Sequence, residues 1–227
     1  IGHDLRTPLA TAKLAVSSLR NSEIEFSPED QEILLAETAA SIDQLTLLVT
    51  NLLDHSRLSA GAVTARRDTV ELYEVANRAI ASCAFGHSKD QLGRIHIGSG
   101  LRGRTCCADS VLLERVLANL FDNALRYAPS GPVNVDAQVT DERVELSVSD
   151  EGPGISPEKQ QELFQAFQRL GDTSNDNGVG LGLSVVRGFV EAMHGTISAA
   201  KSGRAVPRRI RTASLTIESA ACTATAP

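Results

Sequence analysis

The chain has 227 residues, of which 42% are apolar, and its 22 basic and 28 acidic side chains give a formal charge of −6. This size suffices for one large domain or two ordinary ones, and the composition excludes a disordered chain. The acidic balance weighs against a general nucleic-acid binder, which usually carries a basic stripe. We find no apolar run of the length that a membrane span requires. The four cysteines lack CxxC spacing, and we expect reduced thiols in a cytoplasmic setting.

The first predicted helix carries a heptad seam. Its apolar residues are spaced alternately four and three apart: Leu5, Leu9, Ala12, Val16 and Leu19. Polar residues and a proline interrupt the pattern at 21–28. A second helix then begins, because Ser27 suits the N-cap and Pro28 suits the first turn.

The second predicted helix has a similar seam and ends at Gly61, a residue typical of helix C-caps. Leu35, Ile42 and Val49 lie seven residues apart along it. Two amphipathic helices joined by a short turn predict a helical hairpin. One hairpin cannot cover so wide an apolar stripe, so we expect two copies to pair as a four-helix bundle.

From about residue 66 the pattern changes to mixed α/β. Asp141 and Glu142 suit a hairpin turn between two strands, and residues 152–182 are rich in loops. The predicted helices span 70–82, 109–127 and 183–193, and the predicted strands span 94–97, 104–107, 132–139, 143–149, 196–199 and 213–218.

His3 lies just outside the first seam, on a solvent-facing flank of the helix. Thr7 is four residues on and shares that face, and Pro8 can bend the helix beyond it. The adjacent Asp4 could accept a proton from the imidazole and make it more nucleophilic. A lone surface histidine usually has no function, so the interpretation of His3 depends on the rest of the chain.

Two asparagines fall four residues apart in the helix predicted at 109–127. The amide oxygens of Asn119 and Asn123 suit Mg²⁺ shared with a phosphate chain, and Arg126 could bind phosphate oxygens. The alternative is a solvated polar face. The surrounding residues are apolar, however, so this helix is expected to be buried and its amides need partners.

Asp150 follows an alternating strand and precedes Gly152 and Gly154. A carboxylate at a strand end can accept a hydrogen bond from an amino group such as that of adenine, and the glycines let backbone approach a ligand closely. A tight turn without a ligand is the alternative, since this motif is only moderately specific.

A second glycine motif, Gly178, Gly180 and Gly182 followed by Leu183, opens the next predicted helix. Such loops expose N–H groups and a positive helix end to phosphates. No predicted strand directly precedes the loop and no acid follows at about 20 residues, which disfavours a dinucleotide-binding Rossmann unit. Between the two motifs, Phe164 and Phe167 are either core residues or anchors of a lid over the nucleotide.

Taken together, these segments resemble the H, N, G1, F and G2 boxes of sensor histidine kinases, in that family's order and spacing. The resemblance covers roughly residues 1–200. Several segments, among them 51–54, 113–119 and 178–184, are similar to the potassium and osmotic sensors of the family. The resemblance implies an α+β protein: a dimerisation and phosphotransfer hairpin at 1–60, then an α/β sandwich of the gyrase, Hsp90 and histidine kinase type at 61–220. Residues 221–227 are expected to be a disordered tail.

The resemblance also implies roles for the first helix. His3 would be the phosphoacceptor for the γ-phosphoryl group of ATP, with Asp4 as its acid/base partner. Thr7 matches the residue that orients water when such kinases dephosphorylate their partner. Residues 55–61 would form the hinge that lets the nucleotide reach His3.

For the nucleotide, the resemblance implies ATP with Mg²⁺ held by Asn123, next to Asn119. Arg126 and Tyr127 would contact phosphates and nucleotide, and Asp150 would bind the adenine amine. Hydrolysing relatives carry a Glu base near the position of Asn119. The asparagine found here therefore favours phosphoryl transfer over ATP hydrolysis. The remaining pocket and lid residues implied are Gly152, Gly154, Phe167, Gly178, Gly180, Gly182 and Leu183.

The implied partners are a response regulator, whose Asp receives the phosphoryl group, and a second copy of the chain. Because the chain begins at Ile1, we expect it to be cut inside the first helix, with any sensory and membrane parts upstream and the catalytic part in the cytoplasm. Two alternatives stay open. One is a nucleotide-binding, dimerising signalling module without turnover, disabled by truncation; the other is a gyrase-type ATPase.

Overall fold

Two long helices open the chain and form the predicted hairpin. We describe them from a computed structural model, which describes residues 2–21, 23, 25–140, 143–154, 162–166, 180–201 and 211–218. Helix α1 (Gly2–Leu19) packs against helix α2 (Pro28–Ser59).

The ends of α2 follow from local sequence. Ser27 Oγ accepts a hydrogen bond from the Asp30 backbone N–H at 3.1 Å, with Pro28 in the first turn, as predicted. At the other end Gly61 has a φ of +63°, and the N–H groups of residues 61 and 62 donate to the carbonyls of residues 58 and 57. This is a Schellman motif, in which glycine takes the left-handed position. The hinge segment predicted at 55–61 is therefore helical over most of its length, because α2 continues through Ser59.

Apart from Leu48, the described residues that the hairpin buries are small or polar, and several large apolar side chains stay exposed. In α1 the buried residues are Pro8, Ala12 and Ala15. Because one neighbouring helix covers only one side of an apolar stripe, each predicted seam is divided into an inner and an outer face. The large outer residues are between 43% and 58% exposed: Leu9, Val16, Leu35, Ile42 and Val49.

By length and apolar composition alone, α2 could also cross a membrane, which the sequence analysis did not recognise. The same helix has polar Ser41, Asn51 and Asp54 among its buried residues. Asp54 forms an ion pair with Arg115 outside the hairpin. Since such a residue is costly in a bilayer, packing on protein explains this helix better.

Beyond the hairpin, the residues that the structure describes form two layers, of helices and of sheet. The helices are α3 (Leu72–Ser82), α4 (Lys89–Leu92), α5 (Ser110–Tyr127) and α6 (Gly182–Ala192). The strands are β1 (Asp68–Glu71), β2 (Ile95–Ile97), β3 (Thr105–Ala108), β4 (Val133–Val139), β5 (Arg143–Asp150), β6 (Thr196–Lys201) and β7 (Arg211–Glu218).

The main sheet has the strand order β2-β4-β5-β7-β6. Strands β2 and β4 are parallel, with Ile95 opposite Val133, and the other neighbours are antiparallel. Strands β1 and β3 form a separate antiparallel pair. Alternate residues of β4 and β5 are buried, and they pack with α3, α5 and α6 in one hydrophobic core. The α+β class and the α/β sandwich are thus confirmed.

Most predicted elements agree with this fold to within a few residues. The helix predicted at 70–82 begins later, at Leu72, because residues 68–71 pair with β3 as a strand. That strand and the four-residue α4 were not predicted. The last predicted strand begins two residues earlier, at Arg211. The turn predicted at residues 141–142 lies outside the described residues.

Candidate functional site

Helix α5 places two asparagine side chains on one face. Asn119 is buried and Asn123 is half-buried. Nδ2 of Asn119 donates to the Arg115 carbonyl at 2.9 Å, and Nδ2 of Asn123 donates to the Asn119 carbonyl at 2.8 Å. Each amide uses one N–H within the helix, so its Oδ1 acceptor and a second N–H donor remain for other partners.

The start of α6 lies directly against this pair. A Cβ on Gly182, the first residue of α6, would lie 3.3 Å from Asn119 Oδ1 and 3.7 Å from Asn123 Nδ2. Leu181 makes no side-chain cap, and Gly180 before it has a φ of +71°. A helix N-terminus carries N–H groups without intrahelical partners, which favour anions. The predicted asparagine and glycine motifs therefore meet, while Leu183 packs on the hydrophobic core.

Asp150 ends β5 on the side of the sheet that faces the helices. It continues the alternating row of buried residues along that strand and is itself buried. Its Oδ1 accepts a hydrogen bond from the Gly152 N–H at 2.7 Å, which fixes the turn after the strand. Gly154 has a φ of +75°, a conformation that favours glycine. A carboxylate held this way can accept a further hydrogen bond from a ligand amine.

Arg126, near the end of α5, is engaged by a carboxylate one turn earlier. Its Nη2 lies 3.0 Å from Asp122 Oδ2 and 3.4 Å from Oδ1, and His87 Nε2 lies 3.0 Å from the same Oδ1. Burial pushes the pKa of Asp122 upward, but the hydrogen bond with His87 and the charge of Arg126 outweigh it, so this pKa lies below its ordinary value. Tyr127, the next residue, is half-buried.

Helix α1 carries the three residues predicted around His3. His3 and Thr7 are exposed and Asp4 is half-buried. Thr7 Oγ1 donates to the backbone carbonyl of His3 at 3.3 Å, so this hydrogen bond joins the hydroxyl to the backbone and not to the imidazole. An exposed imidazole near the start of a helix is accessible to a phosphoryl donor.

One apolar cluster joins the histidine end of the hairpin to the glycine motif. Leu181 packs against Leu48 of α2, and Leu5 of α1 and Ala166 lie against the same cluster. Leu5 is two residues from His3, and Leu181 directly precedes the first residue of α6. One apolar cluster is therefore shared by the predicted phosphoacceptor helix and the predicted phosphate loop.

A second contact between the two parts lies at the end of α2. Asp54 is 4% exposed and forms an ion pair with Arg115 of α5. Burial raises the pKa of Asp54, although the charges of Arg115 and Arg57 oppose this. One turn on, Leu58 fills the space beside Gly188 of α6, where a Cβ would lie 2.6 Å from a Leu58 methyl carbon.

No role was predicted from the sequence for Asp54, Arg115 or Gly188. A charged residue in the apolar last turns of α2, Asp54, and a glycine inside a helix, Gly188, are signals that could have pointed to them. His87 and Asp122 are also absent from the prediction, and no spacing rule links them. Phe167 and Gly178 lie outside the described residues, whereas Phe164 is half-buried.

The cysteines that the structure describes are buried thiols, at positions 83, 106 and 107. Burial, with the nearby charge of Asp122, raises the pKa of Cys83 to about 12. Burial, with neighbouring Cys107, raises the pKa of Cys106 to about 12. Thiols with such pKa values remain protonated and unreactive at neutral pH, as the predicted structural role requires.

Comparison with known families gives two matches, one at the hairpin and one within the α/β part. Residues 1–61 match the His Kinase A (phospho-acceptor) domain. Residues 108–218 match the family described as histidine kinase-, DNA gyrase B-, and HSP90-like ATPase. The candidate residues of α1 lie in the first match, and those of α5, β5 and α6 lie in the second.

Individual relatives agree with these matches. Sensor protein KdpD of Mycobacterium tuberculosis (strain CDC 1551 / Oshkosh) is 54% identical over 202 residues, which cover 88% of this chain and 23% of KdpD. The signal transduction histidine-protein kinase/phosphatase MprB of Mycobacterium leprae (strain TN) is 34% identical over 195 residues, covering 83% of this chain and 36% of MprB. The chain thus spans well under half the length of these relatives.

A solved structure agrees with the fold. That of the Acinetobacter baumannii histidine kinase AdeS has a TM-score of 0.67 and 22% identity, and the alignment covers 96% of this chain and 98% of AdeS. With both domain families present in this order, the chain belongs to the sensor histidine kinase family and resembles KdpD within it.

Proposed function

We propose that the chain is an ATP-dependent histidine autokinase that phosphorylates His3 and then serves as phosphodonor to an Asp of a response regulator. The observation that carries this proposal is the closeness of Gly182 to Asn119 and Asn123, which sets a helix N-terminus beside the Asn119 amide oxygen and the Asn123 amide nitrogen. Such a site suits a phosphate chain together with a hard cation.

The residues of the site fit a nucleotide with Mg²⁺. Asn123 would hold the ion through Oδ1, with Asn119 beside it, and Arg126 would contact phosphate oxygens. Mg²⁺ neutralises phosphate charge when bound. Among the residues that the structure describes, no cluster of three or more His, Cys, Asp or Glu side chains could hold a metal. Amide and phosphate oxygens are therefore the ligands that we propose.

The rest of the nucleotide would lie toward β5. The buried Asp150 would accept a hydrogen bond from the adenine amine, with Tyr127 nearby. Gly152 and Gly154 would let the backbone approach the base. We keep Phe167 and Gly178 in the proposed lid, together with Gly180 and Leu183, on the family resemblance alone.

In the transfer step, a ring nitrogen of His3 attacks the γ-phosphorus while the bond from that phosphorus to the β-phosphate oxygen breaks. ADP leaves, and the proton of the imidazole goes to Asp4, which acts as the base. The apolar cluster of Leu48 and Leu181, against which Leu5 packs, supports this reaction, because it keeps the start of α6 near the histidine helix.

Further parts of the proposal follow from the relatives. The likeness to KdpD favours potassium or osmotic signalling, and the name of MprB favours a phosphatase activity in which Thr7 orients water.

We propose domains at 1–60 and 61–220, with a tail at 221–227. Pairing of two hairpins would cover the outer seams, and the catalytic part would lie in the cytoplasm, joined to any membrane region only through upstream segments.

Incubation with γ-labelled ATP and Mg²⁺ tests the proposal. We expect acid-labile, base-stable label on the chain, lost in His3→Gln and in Asn123→Ala. Two matched variants should label normally. His96→Gln removes an exposed histidine of β2, and Asn77→Ala removes an amide whose Nδ2 bonds the carbonyl one turn earlier at 2.8 Å, as in Asn123.

The other functions give different results in the same assay. Nucleotide binding without label would instead support a signalling module without turnover. Release of free phosphate that persists in His3→Gln would support a gyrase-type ATPase. Normal labelling of Asn123→Ala would contradict the proposed Mg²⁺ ligand.

A further inference from the structure

A carboxylate beside the proposed phosphate contact is held from two sides. Asp122 Oδ1 lies 3.0 Å from His87 Nε2, and Asp122 Oδ2 lies 3.0 Å from Arg126 Nη2. The side chains of His87 and Asp122 are 10% and 21% exposed. His87 belongs to the loop before α4, whereas Asp122 and Arg126 both belong to α5, so two elements converge on one carboxylate.

We propose that Asp122, held by His87, is a positioning residue that fixes the Arg126 guanidinium for the phosphate chain of the nucleotide. This inference rests on the proposed function, because it requires Arg126 to contact the nucleotide. It adds two residues that take no part in binding the ligand directly.

The physical reason is conformational entropy. An arginine side chain has many rotamers and loses their entropy when it becomes ordered. The ion pair with Asp122 orders Arg126 before a ligand arrives, so binding does not carry that cost. His87 in turn restrains rotation of the carboxylate, because its Nε2 lies 3.0 Å from Oδ1, the oxygen that is farther from Arg126 Nη2.

The opposite effect is also physically possible, since Asp122 could compete with phosphate for Arg126. The geometry favours positioning. Residues four apart on one helix are natural neighbours, and the hydrogen bond from a second element holds the carboxylate in place. Competition would make ATP bind more tightly once the carboxylate is removed, so the two effects have opposite signs.

The test is a double-mutant cycle of Asp122 and Arg126. Calorimetry measures the dissociation constants of each variant for Mg-ATP and for adenosine. We expect Asp122→Asn to weaken ATP binding by about tenfold and to leave adenosine binding unchanged. In an Arg126→Ala background the same change should have no further effect. His87→Gln, which keeps a donor at this position, should bind ATP more tightly than His87→Ala.

Glu114→Gln is the matched control. Glu114 also lies on α5 and accepts hydrogen bonds from Arg78 Nε at 3.0 Å and Ser82 Oγ at 2.9 Å, so the change removes a similar carboxylate away from Arg126. It should leave ATP binding unchanged.

Three results would overturn the inference: unchanged or tighter ATP binding in Asp122→Asn, an equal loss for adenosine, or an undiminished loss in the Arg126→Ala background. Labelling of His3 is measured separately. If the effect of Asp122→Asn on ATP binding depends on Arg126 but His3 is not labelled, the autokinase proposal fails and the positioning role stands. If His3 is labelled normally but the effect does not depend on Arg126, the positioning role fails and the autokinase proposal stands.

Discussion

The hairpin and the α/β part bury their apolar side chains to different degrees. In the α/β part, residues such as Phe121 and Leu113 are fully buried in one core. In the hairpin, large residues such as Ile42 and Leu35 are more than half exposed in the single chain. The α/β part therefore has a buried core of its own, whereas much of the hairpin's apolar surface stays exposed in the single chain.

The largest expected effect comes from Phe121→Ala, which removes a fully buried aromatic side chain of α5. We expect the free energy of unfolding of the α/β part to fall by about 3–5 kcal/mol, through lost burial and the cavity that remains. In a dilute single chain, Ile42→Ala should change stability by less than about 0.5 kcal/mol, because that side chain is 52% exposed. Denaturant unfolding measures both.

The dependence of these two costs on protein concentration tests whether the hairpins pair. If two hairpins pair through the outer seams, the cost of Ile42→Ala grows as the concentration is raised and the dimer forms. The cost of Phe121→Ala should not depend on concentration. A concentration-independent cost for both variants would contradict pairing through Ile42.

The contrast also explains how far sequence alone could reach. The seams of the hairpin, the cap at Ser27 and the alternation of β4 and β5 are local patterns, and the predicted elements follow them. The meeting of Asn119 with Gly182 was predictable only through family resemblance, because these residues are 63 positions apart in the sequence.

Which residues contact Asp54 and His87 was not predictable even so. Each of these two contacts joins side chains from separate elements, and no periodicity or spacing relates the partners. Strand β1 was missed for a similar reason, since its four residues take their conformation from pairing with β3. Tertiary packing, which single-sequence patterns do not contain, decides all three.

The next largest effect is expected from Arg115→Ala, which tests the contact between the hairpin and the α/β part. Arg115→Ala leaves the buried carboxylate of Asp54 without its cation, so we expect docking of α2 on the α/β part to weaken by about 1–3 kcal/mol. Replacing the carboxylate as well, in Asp54→Asn with Arg115→Ala, should restore much of the loss. Hydrogen exchange at residues 54–60 measures docking.

The raised pKa of Asp54 sets the sign of the pH dependence. The docked state holds the proton of this carboxyl more firmly than the undocked state, so docking strengthens as pH falls through the raised pKa and is weaker above it. Asp54→Asn should remove that dependence. Arg78→Ala, which breaks a more exposed pair with Glu114, is the control and should leave exchange at 54–60 unchanged.

The smallest effect compares helix caps in the two regions. Ser27→Ala removes the hydrogen bond that Ser27 Oγ accepts from the Asp30 N–H, and we expect α2 to lose about 1 kcal/mol. Ser88→Ala removes a capping box at the four-residue α4, which should fray locally. Because the hairpin has few large buried side chains, its thermal midpoint should fall more than that of the α/β part. Ser27→Asp, which keeps an acceptor at the cap, should restore the thermal midpoint of the hairpin. If Ser27→Ala and Ser88→Ala lowered the thermal midpoints of their regions equally, the hairpin would be as well stabilised as the α/β core.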